Sequence, residues 1–125
     1  MAGTIVSDTI QNGAGASTST SNVIAGCAKA WVNFVGTTGA INASYNVSSV
    51  TVTATGQYTV AFTTALTDAN YAVVGACKDT NQYGLGGYGL NSAIAQTASS
   101  VGLGATNSSG NYVNWPTNVQ IGVFR

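Results

Sequence analysis

Apolar residues occupy every second position through four separate stretches of this chain, and that period restricts its fold more than any other feature. In 57–63, Tyr58, Val60 and Phe62 alternate with Gln57, Thr59, Ala61 and Thr63. In 28–35, Ala28, Ala30, Val32 and Phe34 alternate with Lys29, Trp31 and Asn33. Ser49 to Ala54 and Val119 to Phe124 repeat the pattern. A period of two sends successive side chains to opposite faces of a strand, so each stretch predicts a strand with one buried face. Asn70 to Lys78 is apolar almost throughout, which predicts a strand covered on both faces. Glu is absent and Lys, Arg and Gln are scarce, while Thr, Val, Tyr and Ile are frequent, so no helix is expected. Turn signals separate the runs at Gly36–Gly39, Thr55-Gly56, Thr67–Asn70 and Ser108–Asn111. The expectation is an all-β chain: an antiparallel β-sandwich, jelly-roll-like, spanning 23–125 as one domain.

Residues 1–22 read differently. Thr4 to Ile10 suggests one more strand, and Asn12 to Asn22 contains no large apolar residue, so it reads as a flexible arm. A single strand ahead of such an arm is not stable alone. It is expected to pair with a sheet edge in its own chain, on a neighbouring subunit or on another protein, the reach of the arm favouring the last two, with Thr4, Ile5, Val6 and Ile10 as the anchoring residues.

Charge narrows the function. The 125 residues hold three Lys/Arg, three Asp and no His, 5% charged against an ordinary value of ~25%. A Ser–His or Cys–His nucleophile pair is impossible, and the three Asp residues are scattered, Asp8 in the arm, Asp68 in a turn and Asp79 apart from both, so no enzyme activity is expected. Zero net charge gives no steering toward nucleic acid and favours self-association. Two cysteines without histidine do not complete a zinc site, no calcium-loop spacing is present, and no cofactor is expected. Cys27 and Cys77 read either as small buried hydrophobes or as one disulfide. The glycine-rich run 84–89 lacks the Lys-Ser/Thr and the following helix of a phosphate loop. No apolar run is long enough to span a membrane, and the N-terminus lacks a secretory pattern, so membrane insertion is not expected.

The aromatic residues divide into two groups. Trp31, Phe34, Tyr45, Tyr58, Phe62 and Tyr71 sit in strand patterns and read as core or subunit-interface residues. Tyr83, Tyr88, Tyr112 and Trp115 sit among Gly, Asn and Ser. Together with Asn111 and Asn114 they offer the aromatic faces and neutral hydrogen bonds that suit a sugar or a general recognition surface. Packing of Trp115 beneath its own loop is the competing reading.

Four segments also carry a family resemblance: Ala28–Phe34, Ile41–Val50, Thr55–Phe62 and Asp68–Val73. In this order and spacing they resemble a module of fibre and virion-surface proteins of tailed bacteriophages, especially those of aquatic bacteria and cyanobacteria. The resemblance covers residues 23–78 and, more loosely, the closing 119–125; Ser7–Gly13 also looks like the leading segment of such fibres. It implies a non-enzymatic protein at the virion surface, made in the host cytoplasm and trimeric. The arm would anchor it to a capsid or tail protein, and its loops would contact a host-surface glycan. Because the module fills nearly the whole chain, a short fibre or knob is expected, with a capsid decoration protein that has no ligand as the alternative.

Overall fold

A computed structural model describes residues 3, 6–79, 88–91, 93–107, 109–113 and 116–125. Among the described residues eight strands form two four-stranded sheets, antiparallel at every pairing. The first sheet has the order β4 (Ile41–Tyr45), β3 (Ala28–Phe34), β10 (Pro116–Phe124), β7 (Ala72–Asp79). The second has the order β5 (Val47–Ala54), β6 (Gln57–Phe62), β9 (Ser100–Ala105), β8 (Tyr88–Leu90). The expected all-β sandwich is the observed architecture.

The alternating residues build the core between the sheets. Ala30, Val32 and Phe34 of β3 and Val119, Ile121 and Val123 of β10 face Tyr58, Val60 and Phe62 of β6 and Val101, Leu103 and Ala105 of β9. All four strands are central in their sheets, which is why their inward side chains are the most buried. Phe34 meets Tyr58 edge-to-face at 5.2 Å between ring centroids, joining the layers, and Phe62 meets Tyr71 in the same way at 5.8 Å. The Tyr58 hydroxyl is buried with no hydrogen-bond partner, and burial, followed by Cys77, pushes its pKa up.

The chain changes sheets at Asn46, whose φ of 54° lies in the left-handed region that Asn tolerates. Its side chain fixes the corner: Nδ2 donates to the carbonyls of Lys29 (3.0 Å) and Thr64 (3.1 Å), and Oδ1 accepts from the Thr64 amide (2.8 Å). Thr55-Gly56 makes the expected hairpin between β5 and β6. Gly56 has φ 64°, and a Cβ there would lie 2.5 Å from the Val113 carbonyl oxygen, so both backbone angle and space require glycine.

Three expectations need correction. The Thr4–Ile10 strand is shorter: among the described residues β1 covers Thr9–Gln11, and it pairs within the chain with β2 (Ser17–Ser19). The turn forms without apolar residues because Asn12 Oδ1 accepts from the amides of Ala14 and Ala16, both at 3.0 Å. Second, a helix does exist, α1 (Thr20–Gly26). Ser19, which looked like part of a polar linker, is its N-cap and accepts from the Asn22 amide at 3.2 Å. Lys29 ties the helix to β3 by donating to the Ile24 carbonyl. Third, β7 is not covered on both faces: it is an edge strand, with Ala72, Val74, Gly75 and Ala76 exposed. Cys27 is exposed rather than buried, Cys77 is half-buried, and no disulfide joins them.

Candidate functional site

The outward faces of the two sheets are finished in different ways. On the second sheet, Gly102 and Gly104 of β9 point outward, and the chain's own side chains lie on them. Ile94 sits on Gly102, and the Tyr112 ring sits on Gly104, where a Cβ would come within 2.8 Å of Cε1. Buried Asn91 fastens this cover. Its Nδ2 donates to Gln57 Oε1 (2.9 Å), and its Oδ1 accepts from the Ala93 amide (2.8 Å) and the Tyr112 hydroxyl (3.3 Å). Gln96 and Tyr71 hold the far end. Gln96 Nε2 donates to the carbonyls of Ala69 (2.6 Å) and Tyr71 (3.0 Å). The Tyr71 hydroxyl lies 3.0 Å from the Thr97 carbonyl and 2.9 Å from that of Ser100 and donates to either.

The first sheet has no such cover among the described residues. The register places Tyr45, Trp31, Gly122 and Val74 in one row across β4, β3, β10 and β7, and Ala43, Asn33, Gln120 and Ala76 in the next. All stand opposite in phase to the buried positions, so they face outward. Trp31 is 41% exposed, Tyr45 58% and Val74 56%. Between Trp31 and Val74 the absence of a side chain at Gly122 leaves an open trough of about 520 Å³. That volume falls within the ~300–1,000 Å³ typical of small-ligand sites.

Carboxamides flank the trough. At the irregularity between β3 and β4, Asn42 reaches across to its neighbours: Nδ2 donates to Asn33 Oδ1 and to Asn118 Oδ1, both at 3.1 Å. Both Asn42 N–H groups are then used, and the Asn33 and Asn118 NH₂ groups are left as donors. Gln120, exposed at the trough, makes no side-chain hydrogen bond with the described residues. No ionisable residue lines the trough. A second concavity of about 410 Å³, lined by Lys29, Tyr45, Asn46, Thr64 and Arg125 among others, lies beside the sheet corner. There Arg125 grips Asp68 through both carboxylate oxygens, so its charge is already satisfied.

The residues singled out from sequence are placed as follows. Tyr83, Asn114 and Trp115 lie outside the described residues. Tyr88 opens β8, its backbone paired with Ala105. Asn111 is exposed, and its amide donates to Asn107 Oδ1 at 2.9 Å. Tyr112 is 39% exposed and covers Gly104. Only Asn111 and Tyr112 are therefore seen together, and Tyr112 already has a packing role. Of the anchoring residues, Thr4 and Ile5 lie outside the described residues, while Val6 and Ile10 are exposed at 91% and 49%. Sequence reasoning assigned Trp31 and Tyr45 to core or interface and passed over Asn42, Asn118 and Gln120. The signal was the polar half of the β3 alternation, which puts Trp31 in phase with Lys29 and Asn33.

Among the described residues no group of three or more His, Cys, Asp or Glu is placed to hold a metal ion, and no helix is long and apolar enough to cross a membrane. No protein-family model matches the chain, and no curated protein or solved structure matches it.

Proposed function

We propose that this protein is a non-enzymatic surface subunit of a tailed-bacteriophage particle, of the short-fibre or knob kind, and that it attaches to the host surface through the open face of the β4-β3-β10-β7 sheet. The observation that carries the reading is that face itself. Trp31, Tyr45 and Val74 stand out of it beside four carboxamides, while on the opposite sheet the outward side of β9 is covered by its own chain. An indole and a phenol kept partly in water contribute little to folding and a great deal to contact. The sequence resemblance supplies the virion context. In this reading residues 1–22 anchor the subunit to a capsid or tail protein, three copies share one attachment point, and weak sites act together through high effective concentration. Tyr112, with Asn111 beside it, borders a separate surface on the other sheet.

The test is adsorption of particles carrying Trp31→Ala, with incorporation measured by blotting. The reading expects normal incorporation and reduced adsorption; normal adsorption would overturn it. A decoration role on the capsid is the second reading, favoured by the exposed Ile10 and Ile24 of the N-terminal hairpin and helix, which offer apolar surface for docking on a shell. It expects unchanged adsorption and particles that break more readily when the protein is missing.

A further inference from the structure

The trough on the open sheet takes its shape from the row Trp31, Gly122, Val74 on three adjacent strands. Neighbouring strands lie ~4.8 Å apart, so the two walls rise from backbones roughly 9–10 Å apart with no Cβ between them. Gln120 and Asn33 occupy the next row, beside the small Ala76. The space therefore has an indole on one side, an isopropyl group on the other, a floor of Gly122 backbone partly overlaid by the edge of the Phe124 ring, and carboxamides at one end.

That set of groups selects a chemistry. No cation lines the trough to receive a phosphate, sulfate or carboxylate: Lys29, turned to the Ile24 carbonyl, and Lys78 stand beyond its lining, two residues along their strands from Trp31 and Ala76. A purely apolar partner would strip water from Gln120 and from the Asn33 NH₂ group without replacing their hydrogen bonds. A pyranose ring satisfies both demands: one face of C–H groups packs on an indole, and its hydroxyls donate to and accept from carboxamides. The clasp made by Asn42 holds the Asn33 carbonyl, so the Asn33 NH₂ group is presented in a fixed direction before any ligand arrives.

We infer that this trough is a binding site for one neutral pyranose unit, with Trp31 stacking on the ring and Gln120 and Asn33 orienting its hydroxyls. The inference rests on the attachment reading above and names the ligand class of the same face.

The experiment is ¹⁵N-detected titration of the purified protein with methyl glycosides of glucose, galactose, mannose and N-acetylglucosamine, and with sialyllactose as the charged comparison. The expected result is saturable shifts of the Trp31 indole N–H and the Gln120 and Asn33 side-chain amides by at least one neutral glycoside, with millimolar affinity as suits an open site, and no gain from the sialic acid. Trp31→Ala should weaken binding at least tenfold, and Gln120→Ala severalfold. Gly122→Ala, which raises the floor without removing a polar group, should also weaken it severalfold. Circular dichroism confirms that each variant is folded. The inference is overturned if no neutral glycoside shifts these signals, if Trp31→Ala binds as well as the parent, or if the parent is an oligomer that Trp31→Ala dissociates, since a second copy would then cover the face. Reduced adsorption of Trp31→Ala particles together with absent glycoside binding would leave the attachment reading standing and remove only the saccharide.

Discussion

The two sheets of this sandwich share one core and differ on their outer sides. On the β5-β6-β9-β8 sheet, two outward glycines of β9 are sites where the chain packs against itself, with Ile94 on Gly102 and Tyr112 on Gly104. On the other sheet, the outward glycine of β10, Gly122, is a floor with nothing above it but the edges of Phe124 and Val74. Gly102 and Gly104 thus make room for a cover from other segments of the chain, whereas Gly122 is overlaid by the ring edge of its near neighbour Phe124 and leaves an opening beside it. The covered face contributes to stability, and the open face leaves its aromatic and amide groups in contact with water.

The sharpest way to break this comparison is to add one methyl group to each face. At Gly102 a Cβ would lie 2.5 Å from Ile94 Cγ2 and 2.7 Å from the Ile94 carbonyl oxygen. Gly102→Ala should therefore cost about 2–3 kcal/mol, because the cover must lift. At Gly122 a Cβ would meet Phe124 Cε2 at 3.2 Å and Val74 Cγ2 at 3.6 Å. Gly122→Ala should change stability by less than about 1 kcal/mol, with the lost chain entropy of glycine partly offsetting the crowding. Urea unfolding of the pair checks this, and equal losses would mean the two faces are not different. Next, Asn91→Ala removes the bond that holds Gln57 and the bond that holds Tyr112 and should cost about 1–3 kcal/mol. Faster amide exchange at 93–97 and 112, with none at β3 or β4, would localise the loss to the covered side.

The covered side also carries an alkaline signature. Burial pushes the Tyr71 pKa up to about 12, above its ordinary 10. A raised folded value means that the folded state holds its proton longer than the unfolded one. The stabilisation is complete below pH 10 and is lost as pH rises through 12, on the order of 2 kcal/mol. Unfolding midpoints measured between pH 9 and 12 should fall, and Tyr71→Phe should flatten that fall. In the core common to both sheets, Tyr58→Phe should be neutral or stabilise by up to about 1 kcal/mol, since it removes a buried hydroxyl with no partner. As a variant that favours neither face, it serves as the control for the others, read by its melting temperature.

What the sequence revealed followed from period. The alternation in β3, β5, β6 and β10 located the core residues because one face of each strand is buried and a shift by one residue would expose the set. It misjudged β7, where a continuous apolar run suggested two covered faces, because a strand's place in the sheet order is set by long-range pairing that no local pattern encodes. It also missed the N-terminal hairpin and helix, where Asn12 and Ser19 organise the backbone by local hydrogen bonds and the few apolar residues, Ile10, Val23 and Ile24, show no periodic pattern. The trough was hidden for a related reason. Trp31, Asn33, Val74, Gln120 and Gly122 come from three strands that are distant in sequence, and only the antiparallel register brings them into adjacent rows. The alternation set Trp31 on the face opposite Val32 and Phe34, but its aromatic character led to a core or interface reading, and its neighbours across the sheet left no local signal.

The smallest predicted effect comes from acid, and it tests whether the outer surfaces depend on charge at all. Asp68 carries the ion pair with Arg125: the hydrogen bond from Arg125, followed by that from the Asn70 amide, holds its pKa below the ordinary value. A lowered folded value means that the stabilisation is present above about pH 4 and is lost as pH falls through the folded value. The pair is exposed and open to screening by salt, so the loss should be slight and smaller still at high ionic strength. With no Glu and no His in the chain, no other broad transition is expected between pH 5 and 9. Thermal midpoints should be nearly flat across that range and decline gently below pH 4, and Asp68→Asn should remove the decline while leaving the Trp31 environment unchanged in fluorescence. A steep acid transition that survives Asp68→Asn would show that charge holds one of the faces in place, and the contrast between a packed face and an open face would have to be redrawn.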